Sequence, residues 1–106
     1  MMLEIKKIYL PRREPRSLGE SLAKFLRSNP EMLRKYTLAV VTELWMTANP
    51  ADIIRETGSI SLRDHVLYIT IYNPALRASL TVIRANILSR LNEELVIARL
   101  SDVKFV

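Results

Sequence analysis

From Ser17 onward the apolar residues recur at two spacings, every three to four positions and every second position, and the switches between them divide the chain into elements. Leu18, Leu22, Phe25 and Leu26 share one helical face. They follow Ser17-Leu18-Gly19-Glu20, a capping-box sequence whose hydroxyl and carboxylate can satisfy free backbone N–H groups. Ser28-Asn29-Pro30 predicts the end of that helix and the start of the next, with Asn29 as cap and Pro30 at the first helical position. Leu33, Val41, Leu44, Trp45 and Ala48 form the stripe of the second helix, which either runs whole or breaks near Thr37. Asn49-Pro50 stops it, because a residue before proline is pushed out of the α region. A short helical turn is expected from Ala51 to Arg55.

The spacing then changes to two. Ser59-Ile60-Ser61-Leu62 alternates, as does the run from His65 to Tyr72, with Leu67, Ile69 and Ile71 on one side. A hairpin is predicted, turning at Arg63-Asp64 or one residue longer to take in His65, without the glycine that two-residue turns favour. Asn73-Pro74 repeats the cap-plus-proline start. Leu76, Leu80, Ile83, Ile87, Leu91 and Leu95 predict one long helix behind it. Val103-Lys104-Phe105-Val106 reads as a last strand. The expected fold is α+β: two N-terminal helices, a hairpin, a long helix and a final strand, giving a three-stranded sheet with helices on one face.

The 106 residues fit one domain, with a basic N-terminal arm at 1–16 and the folded unit at 17–106. Leu3 and Ile5 alternate with Glu4 and Lys6 before Pro11 and Pro15 interrupt, so a short edge strand is the only regular element the arm offers. The apolar fraction of 49% with 25% charged residues is that of a globular chain. No apolar run reaches the length of a bilayer span and no secretory leader precedes Pro11, which makes the cytoplasm the expected compartment. The absence of cysteine excludes disulfides and thiolate metal sites.

Charge changes the picture. A net charge of +5 and a pI near 9.9 favour anionic partners, nucleic acid first among them. Lys6, Lys7, Arg12, Arg13 and Arg16 concentrate that charge in the arm. Arg63 marks the hairpin tip, and Arg77 and Arg84, seven residues apart, would leave one long helix on nearly the same side. Together these eight residues are the candidate phosphate contacts. Arg34 and Lys35 add charge to the second helix. Tyr68 and Tyr72 lie opposite Leu67, Ile69 and Ile71. With Thr70 they form either a stacking platform for single-stranded bases or, beneath a covering helix, ordinary core, and the core assignment is the expectation.

Catalysis lacks parts. His65 is the one histidine and falls at the hairpin turn, while Glu93-Glu94 reads as a solvated helix face. Gly19 and Gly58 build no phosphate-cradling loop. No enzyme activity, cofactor, metal or small-molecule substrate is expected.

The ordered motifs resemble the DciA-like family. They are Ser17-Leu18-Gly19-Glu20, Trp45, Val66-Leu67-Tyr68-Ile69, Pro74-Ala75-Leu76-Arg77 with Leu80, Leu91-Asn92-Glu93 and Asp102-Val103-Lys104-Phe105. The version is similar to the compact form of Bacteroidetes-type bacteria, with Asn49-Pro50 where the family usually places a glycine. The resemblance implies a KH-like fold and a replication role: binding a DnaB-type replicative helicase, assisting its loading, and binding DNA. A protein-interaction module of another process, without nucleic-acid contact, is the alternative. The Gly-x-x-Gly loop of true KH domains is missing, so RNA clamping in their manner is not expected.

Overall fold

The computed structural model describes residues 19–106; the arm at 1–16, with its candidate edge strand and Lys6, Lys7, Arg12, Arg13 and Arg16, lies outside the described residues, as do Ser17 and Leu18. Helices α1 (Glu20–Arg27), α2 (Pro30–Ala48) and α3 (Ala51–Arg55) precede the hairpin β1 (Thr57–Arg63) and β2 (Val66–Ile71). Helices α4 (Pro74–Val82) and α5 (Arg84–Glu94) then lead to β3 (Asp102–Phe105). The strand order is β1-β2-β3, the first pair antiparallel and the second parallel. A parallel neighbour needs a long crossover, and α4 with α5 supplies it.

One face of the sheet is covered. Leu62, Leu67, Ile69, Ile71, Val103 and Phe105 pack with Val41, Leu44 and Trp45 of α2, Leu80 of α4, and Ile87 and Leu91 of α5 in a single cluster. Each fully buried aliphatic side chain there contributes about 1.5–3 kcal/mol. Trp45 is wholly enclosed and lies 5.8 Å from Phe105, ring centre to ring centre, at 42°. Its indole N–H donates to Thr57 Oγ1 at 3.1 Å, and that hydroxyl donates to the Ile53 carbonyl at 2.9 Å. Asn49 closes α2, its Nδ2 donating to the Trp45 carbonyl at 3.0 Å.

The expected α+β architecture is present, with three local differences and one open alternative decided. Helix α1 begins at Glu20 with Gly19 as its cap, so Glu20 is the first helical residue and not the fourth member of a capping box. Of its predicted face, Leu26 is buried, while Leu22 and Phe25 keep 46% and 49% of their surface exposed. Helix α2 runs unbroken through Thr37, which is itself buried. The long helix is divided at Ile83, where φ is −102° and ψ 20°. Thr81, Val82 and Ile83 are consecutive β-branched residues, poor helix formers, and Thr81 Oγ1 donates back to the Arg77 carbonyl at 2.9 Å, a contact that bends helices.

Of the two asparagine caps expected from the sequence, Asn29 holds the N-cap position of α2 without a side-chain hydrogen bond, whereas Asn73 makes two. Asn73 Oδ1 accepts from the backbone N–H groups of Ala75 and Leu76 at 2.9 and 3.0 Å. Arg63 pairs with Val66, which leaves Asp64 and His65 as a two-residue turn, both with positive φ, 47° and 69°. That is the primed turn a twisted hairpin favours. Asp and His enter this left-handed region more readily than most residues, at some cost relative to glycine. Between α5 and β3 the buried Asn92 side chain clamps Leu100: Nδ2 donates to its carbonyl at 3.0 Å and Oδ1 accepts from its N–H at 2.8 Å.

Two stability measurements check this account. Asn92→Ala strands both buried polar groups of Leu100 and lowers unfolding free energy by about 2–4 kcal/mol, read as a lower urea midpoint at unchanged slope. His65→Gly relieves a left-handed position and raises the midpoint, by a gain of up to about 1 kcal/mol.

Candidate nucleic-acid interface

The alternate residues of the strands point away from the core. On this second face lie Ser59, Ser61 and Arg63 of β1, Val66, Tyr68 and Thr70 of β2, the following Tyr72, and Asp102 and Lys104 of β3; Leu67, Ile69 and Ile71 are buried on the other side. Every strand or helix side chain in the buried cluster belongs to the opposite face, and among the described residues no helix covers this one. The expectation that Tyr68 and Tyr72 are core residues is thus corrected. Tyr68 is half-buried and Tyr72 is 64% exposed, because α2, α4 and α5 pack against the Leu67 side.

Three features give this face its chemistry. The Arg63 guanidinium carbon sits 4.5 Å from the centre of the Tyr68 ring, a cation–π contact that holds a flat cation on a flat ring. Lys104 is the parallel register partner of Tyr68, so its ammonium rises from the adjacent strand. Ser59 Oγ and Thr70 Oγ1 meet at 3.2 Å between the two tyrosines. No carboxylate pairs with Arg63 or Lys104 among the described residues.

Tyr72 has its own support. The register slips by one residue between Thr57 and Ile60, a bulge that includes Gly58. A Cβ on Gly58 would stand 2.6 Å from Tyr72 Oη and 2.8 Å from its Cζ, so the ring rests where a side chain would be. The Tyr72 N–H donates to the Glu56 carbonyl at 2.9 Å and fixes the backbone beneath it.

The other candidate cations are distributed differently from the sequence expectation. Arg77 and Arg84 fall on separate helices, so the argument from one continuous helix face no longer applies. Arg77 Nε donates to the Ile71 carbonyl at 3.4 Å, which places its charge at the end of β2, one residue from Tyr72. Arg84 Nε lies 3.7 Å from Asp102 Oδ1 and is partly neutralised there. Arg34 is engaged with Glu31 Oε2 at 3.0 Å and reaches the Leu62 carbonyl at 3.5 Å. That hydrogen bond, followed by the Arg34 charge, holds the exposed Glu31 carboxyl below the usual carboxylate range. Arg63 and Arg77 therefore flank the open face, and Arg84 stands at its margin. Lys104 was not among the sequence candidates, although its place between Val103 and Phe105 in an alternating strand was the available signal.

A cleft of about 280 Å³ between the start of α2 and the hairpin turn has Leu33, Leu62 and Leu100 among its lining residues, together with Arg34, Arg99 and His65. His65 is held through its backbone carbonyl, which accepts from the Ser101 N–H at 2.8 Å and hydroxyl at 3.2 Å. No carboxylate pairs with its imidazole among the described residues, and a catalytic base needs such an orienting partner. Among the same residues no group of His, Asp or Glu could hold a metal ion, and no helix is long and apolar enough to cross a membrane.

No curated protein and no solved structure matches the chain. The family model described as "Dna[CI] antecedent, DciA" matches residues 17–105, nearly all of it. That family is linked to helicase loading, and so to DNA replication, as accessory proteins and not as enzymes. The match spans every element from α1 to β3, and the chain belongs to the DciA family.

Proposed function

We propose that this protein is a cytoplasmic, non-enzymatic replication accessory factor that binds both a DnaB-type replicative helicase and DNA and assists loading of the one onto the other. The observation that carries the DNA half is the open sheet face, where Arg63 over Tyr68 stands beside Lys104, neither in an ion pair among the described residues, while Asp102 on the same face is paired with Arg84. Cations set among exposed rings are the arrangement that tracks a phosphate backbone while presenting surfaces to bases. Family membership over residues 17–105 supports the helicase half. The basic arm, with five Lys and Arg against two Glu, adds sequence-independent attraction to phosphate.

A second reading has its own support. Leu22 and Phe25 expose half of their surfaces on one side of α1, a feature suited to docking on another protein. In that reading the chain is a protein-interaction module that ignores nucleic acid.

Arg63 and Lys104 are exposed, so Arg63→Glu and Lys104→Glu leave unfolding free energy within about 0.5 kcal/mol of wild type. DNA affinity should fall steeply with salt, and each lost phosphate contact should reduce the slope of log K against log salt by about one. Reversal of Lys6, Lys7, Arg12 and Arg13 should weaken binding further. Affinity that survives both high salt and these substitutions would rule out the electrostatic account. Co-purification with the replicative helicase, with and without residues 1–16, tests the partner. Recovery of another protein from nuclease-treated extract, with no DNA retained by the isolated chain, would favour the second reading.

A further inference from the structure

Tyr72 is an exposed aromatic residue that directly follows the last residue of β2. Its phenol occupies the space above Gly58 that a Cβ would fill, yet 64% of the residue remains open to solvent. The hydroxyl end of the ring rests over the bulge, and most of the residue's surface is open. The ring is anchored on both sides in sequence: the Tyr72 N–H is bonded to Glu56, and Asn73 caps α4 immediately after it. A stacking surface fixed in advance loses little freedom when a flat ligand lands on it.

Its surroundings name the ligand class. Arg77 stands at the end of β2 beside it, and Thr70 carries the strand toward Tyr68. Four residues along β2, about 13 Å at some 3.3 Å per residue, lies the second flat group, the Arg63 guanidinium on Tyr68, with Lys104 alongside. Guanidinium planes stack on unpaired bases as aromatic rings do. Aromatic and guanidinium planes at two points, with cations at both ends, complement a chain that alternates unpaired planar bases with phosphates. A duplex hides its base faces and cannot use the rings. The α4 N-terminus is not part of the site, because Pro74 has no N–H and Asn73 already takes those of Ala75 and Leu76.

We infer that Tyr72, seated on Gly58, is a base-stacking platform that makes the open sheet face selective for single-stranded over double-stranded DNA. The inference rests on the DNA-binding reading above and adds to it the strand preference and the residue that sets it.

The test uses the full chain with a short single-stranded oligodeoxynucleotide and the duplex of the same sequence, followed by fluorescence anisotropy at several salt concentrations. Wild-type protein should bind the single strand more tightly. Tyr72→Leu, which keeps an apolar side chain but removes the ring, should weaken single-strand binding about tenfold, leave duplex binding unchanged and leave the salt slope intact. Tyr72→Phe should stay within about twofold of wild type, since stacking needs the ring and not the hydroxyl. Lys104→Gln should do the opposite of Tyr72→Leu, reducing the salt slope for both forms. In unmodified protein the Tyr72 ring protons should shift on adding the single strand and not the duplex, a readout independent of any variant's folding. Equal binding of the two forms, insensitive to Tyr72→Leu and without a ring shift, overturns the inference and leaves DNA binding standing. Binding of neither form by wild type overturns both.

Discussion

Two hydrogen bonds between the buried Asn92 side chain and the main chain of Leu100 fix where β3 begins, and through that start they decide which of its side chains face solvent. Strand side chains alternate, so a slip of one residue would exchange the two faces completely. With Asp102 opposite Val66, Val103 and Phe105 enter the core and Lys104 leaves it. Phe105 then meets Trp45, and the parallel pairing extends through Val106, whose N–H donates to the Ile69 carbonyl and whose carbonyl accepts from the Ile71 N–H, both at 2.9 Å. A buried carboxamide that satisfies one donor and one acceptor of the same residue is a directional lock. An aliphatic residue in its place would fill the volume without specifying the register.

The bulge in β1 connects the core to the open face in the same way. Thr57 and Ile60 both turn inward although they are three positions apart, which the extra residue permits. The inward Thr57 gives the Trp45 indole its acceptor and passes the bond on to Ile53, so a fully enclosed N–H is satisfied. From Ser59 onward the alternation returns, and Ser59, Ser61 and Arg63 face out. Gly58, in the bulge, supplies the gap in which the Tyr72 ring rests. One irregularity thus satisfies the enclosed indole and clears the outer surface.

Much of this was legible in the residues. Period-two alternation over Leu67, Ile69 and Ile71 located the central strand, and two of the three Asn-Pro pairs, Asn29-Pro30 and Asn73-Pro74, located the starts of α2 and α4. The division at Ile83 was hidden because the stripe of Leu80, Ile83, Ile87 and Leu91 keeps its spacing of three and four across the break. Apolar periodicity reports which face is buried, not whether the backbone is continuous, and the β-branched run at 81–83 was the countersignal. The joint placement of Arg77 and Arg84 depended on that continuity. Alternation likewise identifies an outward face without saying whether a second layer covers it, so Tyr68 and Tyr72 were ambiguous until the helices were placed. Lys104 needed only the alternation. The Arg63–Tyr68 contact needed the pairing register as well, since the two residues are brought together by the turn at Asp64-His65.

Net charge alone is a poor guide to where an anion would settle here. Residues 1–16 carry +3 of the total +5, which leaves only +2 for the remaining chain. Within that remainder Arg34 is matched by Glu31 and Arg84 by Asp102, exposed pairs that add little stability but cancel field locally. On the open face Arg63 and Lys104 make no ion pair among the described residues, and Asp102, which shares that face, is taken up by Arg84. At physiological salt, charges separated by more than about 8 Å are largely screened from one another. The potential at the sheet is therefore set by its nearest cations and not by the chain's total. A weakly charged domain can in this way present a cationic surface in one place, and the sheet register, fixed from the core side, determines that place.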